Sequence, residues 1–227
     1  MVEQELQTVE EVKEEVKEEV KETPKKEGSG TPQLVFDLYD IFEVEVKDPG
    51  LKGVIDLGYA LVIKSRGRFR EKFGKANVNI VERLINTVSV PGHRGKKHKI
   101  ITRWATGKYN KNAKQVLDAF EIIHKKTGEN PIQVLVTAIE QGCPMDEVTM
   151  IQYGGARYPQ AVDSSPLRRV SVALRNISHG AYDKSFDKKK TFSRALAEEI
   201  MATASGSGDS AAVSKKGELE RQADSAR

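Results

Sequence analysis

Apolar residues that recur with the period of an α-helix constrain the fold of this chain more than any other feature. The repeat occurs in three stretches: at Val81, Leu84, Ile85 and Val88, at Val116, Phe120 and Ile123, and at Ile132, Leu135, Val136 and Ile139. Residues spaced by three or four positions lie on one face of a helix, and such an apolar face needs a neighbouring element to cover it. The three stretches therefore predict amphipathic helices around a common core.

The residues between the second and third stretches predict how those two helices are joined. Gly128 allows the left-handed conformation that ends a helix, Asn130 is a good N-cap, and Pro131 suits the first helical position. A connection this short brings consecutive helices side by side in opposite directions. We therefore expect an antiparallel helix pair.

The periodicity changes from helical to alternating in residues 147–163. Two segments of this type flank Gly154 and Gly155. Two glycines supply the positive φ angles that a two-residue hairpin turn requires. The pattern predicts a β-hairpin inserted between helices.

Helical patterns return after the hairpin. One stripe begins at Pro166 and comprises Leu167, Val170, Ala173, Leu174 and Ile177. The next helix should begin near Asp187 and stop before Gly206. The last segment, 214–227, has too small an apolar face for a stable isolated helix, so we expect it to lean on the body or on a partner.

These elements predict a mainly α fold, a bundle of about six helices with a projecting β-hairpin arm. The first 30 residues differ, because they repeat Glu-Glu-Val-Lys three times and offer nothing to cover their valines. We expect them to form a disordered acidic tail or a fraying lone helix. The predicted organisation is an acidic low-complexity tail at 1–30, a basic extension with irregular structure at 31–74, and a helical domain at 75–227 with its hairpin at 147–163.

The charge of the chain is divided unevenly between tail and body. The net charge is +4, and the ten Glu and five Lys of residues 1–30 contribute −5, so the remaining residues carry +9. Lys and Arg on one surface release counterions from nucleic-acid phosphates, which favours a polyanion as partner. A solvated surface with a modest positive excess would give the same numbers. Charge alone leaves both interpretations open.

Cationic residues are concentrated in three clusters, which we predict to bind RNA. The clusters are Lys64, Arg66, Arg68, Arg70, Lys72 and Lys75; Arg94, Lys96, Lys97, Lys99, Arg103 and Lys108; and Arg168, Arg169 and Arg175. Glycines and aromatic residues interleave the first two clusters, so these segments could follow a phosphate backbone while their rings stack on bases. A flexible solvated loop is the alternative. In the third cluster, Arg168 and Arg175 share a helix face turned away from the apolar stripe, and Arg169 should also lie off that stripe.

Signatures of catalysis and of cofactor binding fail when they are tested. Six residues separate Gly67 from Gly74, whereas a phosphate-binding loop requires four. His124 is expected in the core, and no nucleophile can be paired with a base. The single cysteine, Cys143, excludes an internal disulfide and fits a reducing compartment. With no leader-like or membrane-spanning apolar run, we expect a cytoplasmic protein without catalytic residues, cofactor, metal or membrane contact.

Several long strings of the sequence carry a family resemblance. They are FGKA at 73–76, IVERLIN at 80–86, AFEIIHKKTGENP at 119–131, QVLV at 133–136, YGG at 153–155, AVD at 161–163, SPLRR at 165–169, and the ending from ELER at 218–221 to residue 227. Together they resemble the small-subunit ribosomal protein S-seven family in its archaeal and eukaryotic form. The resemblance covers roughly 44–227, whereas 1–43 and 89–111 match poorly.

The resemblance implies a function as well as a fold. It implies a structural constituent of the small ribosomal subunit that binds the 3′ major domain of 16S-type ribosomal RNA and nucleates assembly of the subunit's head. It also implies a position beside the exit-site tRNA and the mRNA exit path, next to a protein of the S-eleven family. The residues of the arm that it brings closest to tRNA and mRNA are Tyr153, Gly154, Gly155, Arg157 and Tyr158.

The sequence differs from the family pattern at two positions, and two of the expectations have alternatives. Relatives usually carry Arg where this chain has Met145 and Met150, so arginine contacts are not transferred to these positions. Tyr153 and Tyr158 could pair across the hairpin merely to stabilise it. A free-standing regulatory or protein-interaction module, using the acidic tail and the last helix, is the alternative function.

Overall fold

The computed structural model describes residues 34–36, 38–58, 70, 72–90 and 105–227. Within these residues, six α-helices are formed: α1 Ile80–Ser89, α2 Tyr109–Thr127, α3 Pro131–Gly142, α4 Pro166–Ser185, α5 Phe192–Ala204 and α6 Ala211–Ser225. Strands β1 Leu34–Val35 and β2 Tyr39–Asp40 form a short antiparallel pair. Strands β3 Asp146–Tyr153 and β4 Ala156–Asp163 form the hairpin between α3 and α4. The prediction of a helical bundle with a hairpin arm is confirmed.

The predicted apolar stripes of α1, α2 and α3 form the centre of the core. Every stripe residue on these helices is at most 1% exposed. Helix α5 packs against α2, α3 and α4, while α1 packs against α2 and α4. Burial of these faces from water is the main force that holds the helices together.

The junction of α2 and α3 forms as its sequence predicts. Gly128 ends α2 with a φ of 71°. The Asn130 side chain accepts a hydrogen bond from Ile132 N at 3.0 Å, and Pro131 is the first residue of α3. The Asn130 amide also donates to Asp40 O at 2.6 Å, which fastens the β1–β2 pair to this junction.

The segment before α1 contributes to the same core. Its buried apolar side chains are Val35, Ile41, Val44, Leu51 and Ile55. The Glu140 carboxylate on α3 accepts hydrogen bonds from Lys47 N at 2.7 Å and Asp48 N at 3.0 Å. Asp48 in turn accepts one from Gly50 N at 2.8 Å, which closes a tight turn around Pro49. The predicted boundary at residue 74 stays a prediction, but residues 38–58 pack closely against the helices.

Two sequence expectations about local structure are wrong. Helix α5 begins at Phe192 and not near Asp187, because Asp187 has a φ of 56°, outside the helical region, and Thr191 supplies the N-cap. His124 is exposed, because it lies at the edge of the α2 stripe; its Nδ1 is 3.1 Å from Glu129 O, and the edge-on Tyr39 ring, with its centroid 6.3 Å away, leaves most of it in solvent.

The last helix leans on the body, which is one of the two expected outcomes. Helix α6 packs against α4, α3 and the base of the hairpin, and Ala212 and Ala223 are fully buried. Glu220 accepts a hydrogen bond from Met145 N at 3.2 Å, and Arg227 Nη2 lies 2.6 Å from Asp146 Oδ2. Helix α6 therefore braces the base of the arm.

A buried carboxylate holds the start of α6. Glu199 on α5 is fully buried, and its Oε1 accepts hydrogen bonds from Ala211 N at 2.8 Å and Ser210 Oγ at 2.9 Å. Lys184 Nζ on α4 lies 2.5 Å from Oε2 of the same carboxylate. Glu199 therefore joins three helices. None of the described helices is long and apolar enough to cross a membrane.

Candidate nucleic-acid interface

The structure describes seven of the cationic residues predicted to bind RNA. Of these, Arg70, Lys72, Lys75, Lys108, Arg168 and Arg175 are exposed, and Arg169 is buried. The other predicted residues, Lys64, Arg66, Arg68, Arg94, Lys96, Lys97, Lys99 and Arg103, lie outside the described residues. All three clusters have at least one described member, so their relative placement can be compared in part.

A groove between α1 and α4 brings the first and third clusters together. Its volume is about 420 Å³, and its described lining residues are Lys75, Arg83, Asn86, Thr87, Val90, Ser171, Leu174 and Arg175. Three of these residues are cationic and none of them is acidic. Cations with amide and hydroxyl groups between them are the usual partners of a nucleic-acid backbone. The groove is therefore the best candidate for an RNA contact among the described residues.

Helical spacing explains how two helices line one groove. Arg83, Asn86 and Thr87 on α1 and Val90 at its C-cap recur at i, i+3, i+4 and i+7, which places them on one face beside the apolar stripe. On α4, Ser171 and Arg175 are four residues apart and share the opposite wall. Lys75 lies on the 3₁₀ turn Gly74–Asn77, just before α1.

Arg83 is the groove residue that sequence reasoning missed. It was not assigned to a cationic cluster because its sequence neighbours are apolar or acidic. The signal that could have revealed it is the second repeat on α1, in which Arg83 shares the helical spacing of Asn86 and Thr87. A polar stripe beside an apolar stripe indicates a face that borders the core and meets something polar.

The Arg83 guanidinium is buried, and the part of the chain that the structure describes gives it no acidic partner. The residue is 5% exposed, and its side chain donates from Nη1 to Val54 O at 3.1 Å and from Nη2 to Ser171 Oγ at 3.3 Å. No carboxylate of the described residues pairs with it. Burial lowers the pKa of Arg83 to about 10, so the group stays protonated at neutral pH. The groove floor thus carries a positive charge that no described acid balances.

Arg168 and Arg175 are exposed on α4, which confirms the outward orientation predicted for these two. Arg168 forms an ion pair with Glu147 at the base of β3, and this hydrogen bond raises the pKa of the Arg168 guanidinium. Arg175 lines the groove, and no hydrogen bond or ion pair joins it to another described residue. The arginine face of α4 therefore extends from the arm to the groove.

The expectation that Arg169 also faces outward is wrong. Arg169 is 8% exposed, and its Nη2 donates to Asp48 Oδ2 at 2.9 Å and to Cys143 Sγ at 3.4 Å. One residue along a helix is a rotation of about 100°, which turns Arg169 from the outer face toward the stripe. Asp48 comes from a distant segment whose position could not be inferred from the local pattern. Arg169 therefore joins that segment to α4.

The hairpin forms with the predicted turn and projects from the body. Gly154 and Gly155 have φ angles of 56° and 85°. Residues 149–160 are exposed on both faces of the two-stranded ribbon. The register places Tyr158 opposite Ile151 and Tyr153 opposite Ala156. The two tyrosines are therefore diagonal neighbours on one face and not a directly opposite pair.

The arm surface is mostly uncharged. Arg157 is the only cation in residues 146–163, and the three acids of this range lie in its first two and last positions. Exposed apolar and aromatic side chains dominate the arm: Met150, Ile151, Tyr153 and Tyr158. Tyr153 is 81% exposed. Such a surface suits stacking and packing more than a row of phosphate contacts.

Comparisons with known proteins agree on one family. The family model for ribosomal protein S7p/S5e matches residues 61–227. The chain is 45% identical over 194 residues to the small ribosomal subunit protein uS7 of Nanoarchaeum equitans, covering 85% of this chain and 98% of that protein. It is 46% identical over 195 residues to the uS7 protein of Thermoplasma volcanium, which covers 86% of this chain and 100% of that protein. The uS7 protein of Archaeoglobus fulgidus is also 46% identical over 195 residues, which covers 86% of this chain and 95% of that protein.

Proposed function

Since the chain belongs to the ribosomal protein S7p/S5e family, we propose that its helical body binds the 3′ major domain of 16S-type ribosomal RNA and nucleates assembly of the subunit's head. Its role is that of a structural component of the small ribosomal subunit and not of an enzyme. The place of action is the ribosome, which we take to be in the cytoplasm.

The α1–α4 groove is the observation that carries this proposal. It joins Lys75 to Arg175 across two helices and lacks acidic groups among its described lining residues. Arg168 extends the same helix face, and Arg70, Lys72 and Lys108 add exposed cations to the described surface. Phosphate contacts of this kind position RNA on a protein and supply most of the affinity.

The cations outside the described residues are part of the same proposal. Arg94 follows Val90, which lines the groove, by only four positions in the chain. The cluster from Arg94 to Arg103 therefore begins four positions along the chain from a residue of the groove. We propose that this cluster, together with Lys64, Arg66 and Arg68, contacts the same RNA.

The arm is proposed to contact exit-site tRNA and mRNA. A two-stranded ribbon exposed on both faces gains little stability by itself, so its exposed rings are available to a partner. Tyr153 and Tyr158 could pack on sugar or base, and Arg157 could meet phosphate. A neighbouring protein of the S-eleven family is proposed for the same region of the subunit.

Salt dependence tests the phosphate contacts. Binding of the full chain to a head-domain rRNA fragment should weaken steeply with added KCl, with a log–log slope on the order of several units. The measurement is a filter-binding or fluorescence titration from low to moderate salt. A flat salt response would contradict the proposal, because contacts to bases and sugars alone release few counterions.

Single replacements of the adjacent arginines should have different effects. Arg168→Ala should weaken RNA binding and reduce the salt slope by about one unit, with little change in stability, because the Arg168 side chain of the pair with Glu147 is exposed to solvent. Arg169→Ala should lower the free energy of unfolding by about 2 kcal/mol, because it removes the partner of Asp48. Urea unfolding and RNA titration of both variants measure these effects. Equal stability of the two variants would show that the Arg169 contact is unimportant.

Sedimentation separates this function from a free-standing regulatory or interaction module. The tagged protein should move down a gradient with small subunits when a cell lysate is centrifuged. Protein that stays at the top while the subunits move down would contradict a ribosomal role. Crosslinking in cells followed by sequencing of the attached RNA should then recover the 3′ major domain.

A further inference from the structure

We propose that the α1–α4 groove contains a preformed pocket for a single backbone phosphate of RNA, with the buried guanidinium of Arg83 as its floor. This inference rests on the proposed function and names the chemical group that occupies the groove. Arg175 and Asn86 complete the pocket from its two walls.

The first argument is the contrast between two buried arginines in one body. Arg169 is 8% exposed and its guanidinium meets the Asp48 carboxylate at 2.9 Å. Arg83 is 5% exposed, and among the described residues its guanidinium donates only to a carbonyl and a hydroxyl. A buried charge without an opposite charge destabilises a fold unless another group compensates it. An anion bound in the groove would compensate the positive charge of Arg83, as the Asp48 carboxylate compensates that of Arg169.

The second argument is the number of donors that remain on Arg83. An arginine side chain has five N–H groups in a planar fork. Val54 O and Ser171 Oγ each accept one of them, and these two bonds orient the guanidinium at the floor of the groove. The remaining N–H groups can donate to phosphate oxygens, whose geometry matches the fork.

The third argument is the chemistry of the walls. Arg175 is exposed and makes no hydrogen bond or ion pair with another described residue. The side-chain amide of Asn86 also makes no hydrogen bond with another described residue. Thr87 differs, because its hydroxyl already donates to Arg83 O at 2.7 Å. Two cations and an amide thus line one groove, and no described lining residue would repel an anion there. A groove of about 420 Å³ is larger than one free phosphate ion requires, which favours a phosphate within a chain.

The test uses the full chain and three variants. Arg83→Met removes the charge while keeping a similar length, Arg83→Lys keeps the charge and loses the fork, and Arg194→Met removes an exposed arginine of α5 as the matched control. The first probe is inorganic phosphate, which replaces chloride at constant ionic strength during thermal unfolding. Phosphate should raise the Tm of the wild type and of Arg194→Met by several degrees more than that of Arg83→Met. Equal phosphate responses in all variants would overturn the pocket.

The second probe is a head-domain rRNA fragment, which distinguishes an RNA phosphate from a free ion. Arg83→Met should lose tenfold or more in affinity, and Arg83→Lys should recover only part of it. If the fragment binds Arg83→Met as tightly as wild type, the pocket proposal fails while the proposed function stands. If no fragment binds the wild type, the proposed function fails, and a phosphate response that depends on Arg83 would leave only a site for free anions.

A spectroscopic readout covers the case in which Arg83→Met does not fold. The Arg83 Nε–H resonance of the ¹⁵N-labelled wild-type protein should shift during a phosphate titration and saturate. Arg175→Ala, at an exposed position, should weaken that saturation without affecting the fold. A resonance that phosphate does not move would overturn the proposal even without the Arg83 variants.

Discussion

Replacing Glu199 with Ala should lower the free energy of unfolding by about 3 kcal/mol. The Glu199 carboxylate is fully buried where α4, α5 and α6 meet. The substitution leaves Ala211 N and Ser210 Oγ without their acceptor and Lys184 without its ion-pair partner. A buried polar group that loses its partner is still shielded from water, and no hydrogen bond compensates the free energy of that desolvation.

Urea unfolding of two matched variants shows whether burial is the cause. Glu199→Gln keeps an acceptor for the α6 backbone and loses only the charge, so it should fall between wild type and Glu199→Ala. Glu198→Ala removes the adjacent glutamate, which pairs with Lys190 and Arg194 at a partly exposed position, and should cost less than about 1 kcal/mol. Equal losses for Glu198→Ala and Glu199→Ala would contradict the role given to the buried carboxylate.

The loss at Glu199 should also affect the arm. Helix α6 contacts β3 and β4, and its Glu220 carboxylate accepts a hydrogen bond from Met145 N at the base of the hairpin. Hydrogen exchange of the Glu199→Ala variant should therefore rise in α6 and at the base of β3 before it rises in α1 and α2. Uniform exchange over the whole body would show that α6 is not the element that is released.

Shortening the arm by its outermost two residue pairs should leave ribosomal RNA binding intact while releasing exit-site tRNA several-fold faster. The deletion removes Gln152, Tyr153, Ala156 and Arg157, and it places the two turn glycines between Ile151 and Tyr158. These four residues are exposed and lie at the far end of the ribbon from its base. The body and the groove should therefore fold and bind as before.

The register determines why two pairs are removed. Pairs next to a two-residue turn are hydrogen-bonded, and the pairs alternate along an antiparallel ladder. Removing an even number keeps a hydrogen-bonded pair, Ile151 opposite Tyr158, beside the turn. Pro159 opposite Met150 then stays at a non-hydrogen-bonded position, where its missing N–H does no harm.

The measurements are tRNA release and reading-frame maintenance in ribosomes that carry the shortened protein. A full-length arm with Tyr153→Ser and Arg157→Ala separates side-chain chemistry from arm length, and it should reproduce most of the effect. If the shortened arm abolishes subunit assembly, the tip belongs to the rRNA anchor. The proposed division between body and arm would then be wrong.

The helices, their junction and the hairpin could be predicted from the sequence because their signals are local. An apolar stripe such as that of α1 reports a helix and its buried face within ten residues of chain. Asn130 caps the helix that starts at the next residue, and Gly154 and Gly155 accept positive φ wherever the hairpin lies. These preferences depend on a few neighbouring residues and not on distant segments of the chain.

The burial and the partners of the charged residues were decided only by the tertiary structure. Arg168 and Arg169 are adjacent in sequence, yet Arg169 is buried because Asp48, 121 residues away, comes within 2.9 Å of it. Arg83 became part of a groove because α4 packs beside α1 and brings Arg175 to the opposite wall. Whether a charge is solvated, paired or left open for a ligand depends on which distant segment packs against it, and that arrangement forms only when the core assembles.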